Sequence, residues 1–259
     1  MTRITIRELH DLEDFGRVQD VARLVWGFDD RKLPATADLQ AVTHVGGMTA
    51  GAFAGREMVG FVHGLPRTNL PQKCHHSHML AVRPEWRGRD VSVRLKLFQR
   101  AWCLARGIRL VTWTYDPLLV RNATLNLVRL RGRAVCYLPD HYGPLGGLYG
   151  DLPTDRFEVH WRLEAPEVRR AAAGAAPEPL SPRDAAALPA ATSARIPASR
   201  RVAVDMPAGA PELSATNPKA ARRAQDRLRR IATRLFARGF EATAIAVAGD
   251  GARYVFERR

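Results

Sequence analysis

The sequence predicts a mixed α/β fold: a mixed (α+β) sheet with helices on its faces in residues 1–164, then a smaller C-terminal α/β unit. Three observations predict it. Short β-branched and alternating runs are interleaved with helical stripes, the pattern of strands that share a sheet with covering helices. Glycines and prolines punctuate these runs where turns are needed. After Glu164 the composition turns Ala-, Pro- and Glu-rich before strand and helix patterns resume. The expected organisation is therefore a first domain over 1–164, a linker over 165–200 and a small unit over 201–259.

Taken in order, residues 3–8 alternate as a strand. Asp11, with Asp14 three positions on, is an N-cap for an amphipathic helix marked by Phe15, Val18, Val21, Ala22 and Val25. A short helix is expected over 37–45, before Gly46 and Gly47. Runs 48–54 and 58–63 form a hairpin about Gly55, and 74–82 is the next strand. A helix from Val91 carries its apolar residues at Val91, Leu95, Phe98, Trp102 and Ala105 and stops at Gly107. Runs 109–114, 134–138 and 157–163 read as strands, and 120–130 as a helix. In the C-terminal unit, strands are expected at 201–205, 241–247 and 253–257. The helix over 218–238 has an apolar face of Ala221, Ala224, Leu228, Ile231, Leu235 and Phe236 under a basic, solvated one.

The strand 74–82, the turn after it and the helix from Val91 organise the functional reading. The apolar run stops at Pro84, which cannot donate into a ladder. The turn holds Arg83, Arg87, Gly88 and Arg89. A glycine-bearing turn that feeds a helix N-terminus presents free N–H groups and a partial positive charge, which suits phosphate.

Composition bounds the rest. The chain has 259 residues and a formal net charge of +14; only four of its 40 basic residues are lysine. It lacks a zinc-finger spacing, an aromatic RNA-binding motif and a long basic tail, so nucleic acid is not the expected partner. No apolar run is long enough for a membrane span, and the N-terminus enters a strand pattern instead of a signal peptide. Cys74, Cys103 and Cys136 are odd in number and far apart, which points to a reducing compartment and a cytoplasmic protein. His75, His76 and His78 lack a carboxylate or cysteine at ligand spacing, so no metal is expected.

The run Val82-Arg83-Pro84-Glu85-Trp86-Arg87-Gly88-Arg89 resembles the cofactor turn of the GNAT superfamily of acetyl-coenzyme A-dependent acyltransferases, V-x-P-x-[YW]-R-G-x-G-[IL]-[GA]. The element order of the first 164 residues agrees. Trp113-Thr114-Tyr115-Asp116-Pro117-Leu118, Arg121-Asn122-Ala123 and Leu152-Pro153-Thr154-Asp155-Arg156 are similar to strings in a bacterial and archaeal branch of predicted GNAT acetyltransferases. The resemblance implies a split between two parallel strands, here about 77–82 and 109–114. Pantetheine would pair with backbone at Leu80, Ala81 and Val82 as an added strand. The pyrophosphate would rest on the N–H groups of Arg87, Gly88, Arg89, Asp90, Val91, Ser92 and Val93, and Asn122 would lie near the cofactor arm. Acetyl-coenzyme A is then the acyl donor, and the partner is a small-molecule acceptor that the sequence leaves open.

Two departures bear on function. Asp90 and Ser92 stand where the family has glycine and a small residue. The Asp90 carboxylate is expected to cap the helix from within the chain and to repel a pyrophosphate, with Arg83, Arg87, Arg89 and Arg94 offsetting it. Counting back from Gly132, the position of the family's thiolate-protonating tyrosine holds Val128. Tyr142 is the preferred substitute over Tyr137. His78 is the candidate general base. Asp116, at the end of a strand, is the candidate for orienting substrate. Asp155 and Arg156 are expected to pair with each other. The expected activity is acetyl transfer to an amine by direct attack. The alternative is a binding or regulatory module of this fold that has lost turnover.

Overall fold

In the computed structural model the strands Ile4–Glu8 (β1), Met48–Ala54 (β2), Glu57–Arg67 (β3) and Cys74–Val82 (β4) form an antiparallel series, and Leu110–Tyr115 (β5) joins β4 in parallel. The sheet is therefore mixed, as the sequence predicts. The structure describes residues 3–27, 30–143, 152–175, 178–207, 216–249 and 251–258. They fall into two compact units: residues 1–113 with 162–164, and residues 114–161 with 165–259.

In the first unit the helices Leu12–Trp26 (α1) and Thr36–His44 (α2) cover a core of Leu9, Phe15, Val18, Leu39, Phe53 and Phe61. The Asp11 side chain accepts from Asp14 N (2.8 Å), the cap expected from the sequence. Val91–Ala105 (α3) packs on β2, β3 and β4. Its buried face differs from the expected apolar stripe. Val91, Leu95 and Trp102 face inward as expected, but Lys96, Gln99 and Cys103 are buried with them, while Ala105 is exposed. The two polar side chains go inside because each satisfies the other, Lys96 Nζ donating to Gln99 Oε1 at 2.8 Å.

The second unit contains Val120–Ala123 (α4), which widens at once into a π turn over Thr124–Arg129, where Leu130 N donates to Leu125 O five residues back. Its strands Arg133–Leu138 (β6), Arg156–Arg162 (β7), Arg201–Pro207 (β8), Phe240–Ala248 (β9) and Gly251–Arg258 (β10) form the ladders β7–β6, β9–β10 and β10–β8, all antiparallel, with a single β6–β9 pair at Ala134↔Ala242. The Ala- and Pro-rich stretch after Glu164 holds two short helices, Pro166–Ala172 (α5) and Pro182–Ala186 (α6), which bury Val168 and Ala185. The long basic helix is Pro218–Phe236 (α7); Ala221, Leu228, Ile231 and Leu235 are buried as the periodicity predicts, and Gln225 joins them.

The β3–β4 register sets up the functional end of β4. His63 pairs with Met79 but Gly64 pairs with Ser77, so His78 is an extra residue, a bulge. Gly64 is required there. A Cβ on it would overlap the His75 ring at Nε2 and lie 2.7 Å from the His76 carbonyl oxygen. Gly64→Ala is therefore expected to destabilise the protein by about 1–3 kcal/mol, as overpacking does. Gly16, inside α1, is the control, because a Cβ added to it would meet nothing within 4 Å. Gly16→Ala should instead stabilise by about 0.5–1 kcal/mol. Chemical denaturation midpoints of the two variants check both signs.

Candidate functional site

The β4–β5 ladder is short. It pairs Cys74 with Leu110, His75 with Val111 and His76 with Thr112, and ends there. Beyond it β4 continues to Val82, bound to β3 on one side, while the β4–β5 ladder does not extend past His76 on the other. Alternate residues of a strand direct their N–H and C=O groups to opposite edges, so backbone polar groups of this stretch line the side away from β3. Leu80 is half-buried on it, and Ala81 and Val82 are buried.

The edge runs into the predicted turn. Pro84–Trp86 form one 3-10 turn, then Arg87, Gly88, Arg89 and Asp90 are exposed and lead to Val91, Ser92 and Val93 at the start of α3. Gly88 has φ +76° and Asp90 φ +55°. Asp90 thus occupies the left-handed conformation that glycine adopts freely and that Asp tolerates better than most residues. The expected cap does not form: Asp90 makes no side-chain capping hydrogen bond, because its left-handed backbone is not the extended one of a side-chain-capping residue. The arginines divide. Arg83 is engaged by Glu57 at 3.0 Å, and Arg94 donates to Ile4 O at 2.7 Å. The Arg89 guanidinium lies 4.9 Å from the Trp86 ring centroid. Arg83 and Arg94 therefore hold the turn to its own body, while Arg87 and Arg89 stand exposed with it.

Behind the edge lies a buried polar cluster that sequence reasoning missed. Lys96 Nζ donates to Ser77 Oγ at 3.0 Å and lies 3.8 Å from the Trp113 ring centroid. Gln99 links it to His75, Nε2 to Nε2 at 3.1 Å. Burial lowers the Lys96 ammonium to about 7, lowers His75 to about 3, and pushes the Cys103 thiol up to about 12. One signal was available in the sequence: Lys96 is one of only four lysines among 40 basic residues, and it stands on the inner side of a helix.

His78 is exposed at the bulge, its ring centroid 6.5 Å from His63 and 6.3 Å from His76. His63 is buried against Thr49 Oγ1 (2.8 Å) and lowered to about 4 by burial, so it is neutral at pH 7. Among the described residues no three His, Cys, Asp or Glu side chains converge to hold a metal. No helix among them is long and apolar enough to cross a membrane.

The other candidates belong to the second unit. Asp116 Oδ1 accepts from Leu118 N at 2.8 Å, an Asx turn at the end of β5, and its other oxygen is 3.8 Å from the buried Arg156. Burial raises its pKa, partly offset by Arg156. Arg156 also lies 5.3 Å from the ring centroid of Tyr142, whose hydroxyl is 3.1 Å from Thr114 Oγ1. Tyr142 and Asp116 are thus brought together through Arg156. Asn122 is half-buried in α4, and Val128 is buried on the π turn. Residues 144–151 of the loop that follows Tyr142 lie outside the described residues.

Asp155 and Arg156 do not pair as expected. Successive residues entering a strand point to opposite faces, so Arg156 meets Asp116 and Asp155 meets Arg229 of α7, at 2.9 and 2.6 Å. The buried Asp155 also accepts from Tyr137 OH and from Asp140 N (2.9 Å). Burial and this carboxylate hold the Tyr137 hydroxyl well above its usual range, as a fixed donor. Asp140 Oδ1 accepts from Thr154 N at 3.0 Å, and Thr154 Oγ1 accepts from Tyr142 N at 2.9 Å. A chain of hydrogen bonds therefore runs from α7 to the Tyr142 backbone.

Several solved structures share this architecture. A protein from Desulfovibrio desulfuricans described as an acetyltransferase of the GNAT family matches with TM-score 0.50 and 15% identity, over 62% of this chain and 99% of that one. Over the matched 62% of the chain the fold is that of the GNAT acyltransferases. IAA acetyltransferase from Bacillus cereus matches with TM-score 0.50 and 14% identity, over 62% of this chain and 100% of its own. NAA60 of Arabidopsis thaliana, solved with a bisubstrate analogue, matches with TM-score 0.50 and 16% identity, over 61% of this chain and 97% of its own. No protein-family model matches the sequence, and no curated protein matches it.

The hydrogen-bond chain predicts that Arg229→Met leaves Asp155 buried without its cation. It should cost about 2 kcal/mol of stability, the scale of a hydrogen-bonded charge pair. Hydrogen exchange at the Asp140 and Tyr142 amides should quicken more than at the β9–β10 ladder, as mass spectrometry of the exchanged protein would show.

Proposed function

We propose that this protein transfers an acetyl group from acetyl-coenzyme A to the amine of a small molecule by direct attack. The observation that carries the reading is the end of the β4–β5 ladder at His76 and Thr112, beyond which β4 runs on through Val82 straight into a turn and the N-terminus of a 15-residue helix. The edge of that strand suits the amide groups of pantetheine, which can add as a strand at Leu80, Ala81 and Val82. The N–H groups of Arg87, Gly88, Arg89, Asp90, Val91, Ser92 and Val93 suit a pyrophosphate, with Arg87 and Arg89 adding positive charge. Most of the rate gain would come from holding amine and thioester together and from N–H groups polarising the thioester carbonyl.

In this reading His78, exposed at the bulge, takes the proton of the attacking amine. Asp116 orients the acceptor with Tyr142 beside it across Arg156, and Asn122 supports the cofactor arm. The acceptor is an unidentified small molecule; the partners invoked include neither nucleic acid nor membrane, and the place of action is the cytoplasm.

A second reading is supported by one specific observation. Asp90 places a carboxylate in the phosphate turn at φ +55°, which favours a module that binds coenzyme A weakly and does not turn over. Calorimetric titration with acetyl-coenzyme A, beside an assay of thiol release with an amine panel, separates the two. The transfer reading expects wild-type binding and thiol release. It also expects about five-fold tighter binding by Asp90→Gly, the effect of removing one partly screened like charge, shrinking as salt rises. Binding without thiol release from any amine would favour the second reading; equal affinity in the two proteins would remove the role given to Asp90.

A further inference from the structure

We propose that Lys96 is the catalytic acid that meets the departing coenzyme A thiolate. The inference deepens the acetyl-transfer reading and rests on it. Its ground is the position of Nζ relative to the parting strands. His76 and Thr112 are the last pair of the β4–β5 ladder. The next residue on each strand is Ser77 and Trp113, and Lys96 touches both: Nζ donates to Ser77 Oγ at 3.0 Å and lies 3.8 Å from the Trp113 ring centroid. The buried ammonium therefore lies under the vertex of the split, beside the first residue beyond the ladder, on the second turn of the helix offered to the pyrophosphate.

Ser77, Gln99 and the Trp113 ring hold the ammonium in place. Gln99 accepts from Nζ through Oε1 at 2.8 Å, which turns its amide nitrogen toward His75 Nε2 and fixes both side chains. The titratable groups that face Lys96 include Cys103 on α3 and His75 on β4, with His63 of β3 and His76 of β4 beside His75. His75 is lowered to about 3, His63 to about 4 and Cys103 is raised to about 12, so all three are neutral near pH 7. Lys96, lowered to about 7 by burial, is the member of this cluster whose charge changes there.

The step balances without any further reactant. The neutral amine forms a C–N bond to the thioester carbon and the C–S bond breaks. The sulfur leaves with the electron pair of that bond and takes a proton from Nζ. The product nitrogen gives its surplus proton to base or solvent, and the lysine amine is reprotonated from solvent. A thiol titrates near 8.5, so an ammonium titrating near 7 is the stronger acid and the transfer runs downhill. Val128 stands where the resembling family carries its tyrosine acid, which leaves this task open on α4 and the π turn.

The test compares two acetyl donors, acetyl-coenzyme A and the acetyl ester of an acidic aryl thiol whose thiolate needs no proton. Lys96→Met is expected to lower kcat with acetyl-coenzyme A about 100-fold, the lower range for a general acid, with calorimetric affinity for acetyl-coenzyme A unchanged. With the aryl thioester it should lose less than about 3-fold, because no acid is needed. Equal loss with both donors, or no loss with either, overturns the proposal. If Lys96→Met does not fold, wild-type protein supplies the same answer. The rate with acetyl-coenzyme A divided by that with the aryl thioester should fall tenfold per pH unit above about 7, as the ammonium is lost; a flat ratio overturns the proposal. Wild-type protein that releases thiol from neither donor refutes acetyl transfer itself, a result distinct from turnover that does not depend on Lys96.

Discussion

The parting of β4 from β5 after three residue pairs is the constraint on which the rest depends. Backbone N–H and C=O groups are obligatory hydrogen-bonding groups. A parallel ladder that stops after three pairs therefore leaves the groups beyond it to be satisfied by something other than that ladder. Two local devices support the parting. The bulge at His78 re-aims β4 where the ladder ends, and Gly64 on β3 allows the close approach that the bulge requires. The turn then uses Gly88 and Asp90 at positive φ to bring the chain from the edge directly into α3.

The cation under the vertex follows from the same geometry. The helix α3 packs on β4 beside the place where the two strands part. Here α3 meets it with Lys96 and Gln99, whose lengths reach Ser77 and His75. Burying an ammonium is costly unless its protons find acceptors. Ser77 Oγ, Gln99 Oε1 and the face of Trp113 supply them, and the remaining cost appears as a pKa lowered to about 7. In the second unit the buried charge is handled differently. Asp155 gathers Tyr137, Asp140 and Arg229, so a carboxylate, not a cation, becomes the fixed point around which a loop is held.

The fold is largely legible in the sequence because its elements are bounded by strong local signals: Asp11 at the start of α1, Pro84 after β4, Gly107 after α3. The turn from Arg87 to Val93 is also legible as a glycine-bearing turn that leads into a helix. What escapes are features set by contacts distant in sequence. Nothing local says that Asp90 takes a left-handed backbone instead of capping α3. Nothing local sends Asp155 to Arg229 and Arg156 to Asp116, each far off along the chain. Hydrophobicity alone traces the apolar stripe of α3, so it passes over Lys96 and Gln99, whose pairing buries them. The π turn after α4 likewise has no hydrophobic signature, because it changes which carbonyl an amide reaches without changing the residues that do so.

The central claim is that the β4 edge and the α3 N-terminus together receive one extended, phosphate-bearing ligand. Amide hydrogen exchange across the chain, with and without saturating acetyl-coenzyme A, tests it most directly. The account predicts new protection at Leu80, Ala81, Val82 and at Val91 to Val93. Binding without protection at both segments, or protection confined to residues elsewhere in the chain, would contradict it.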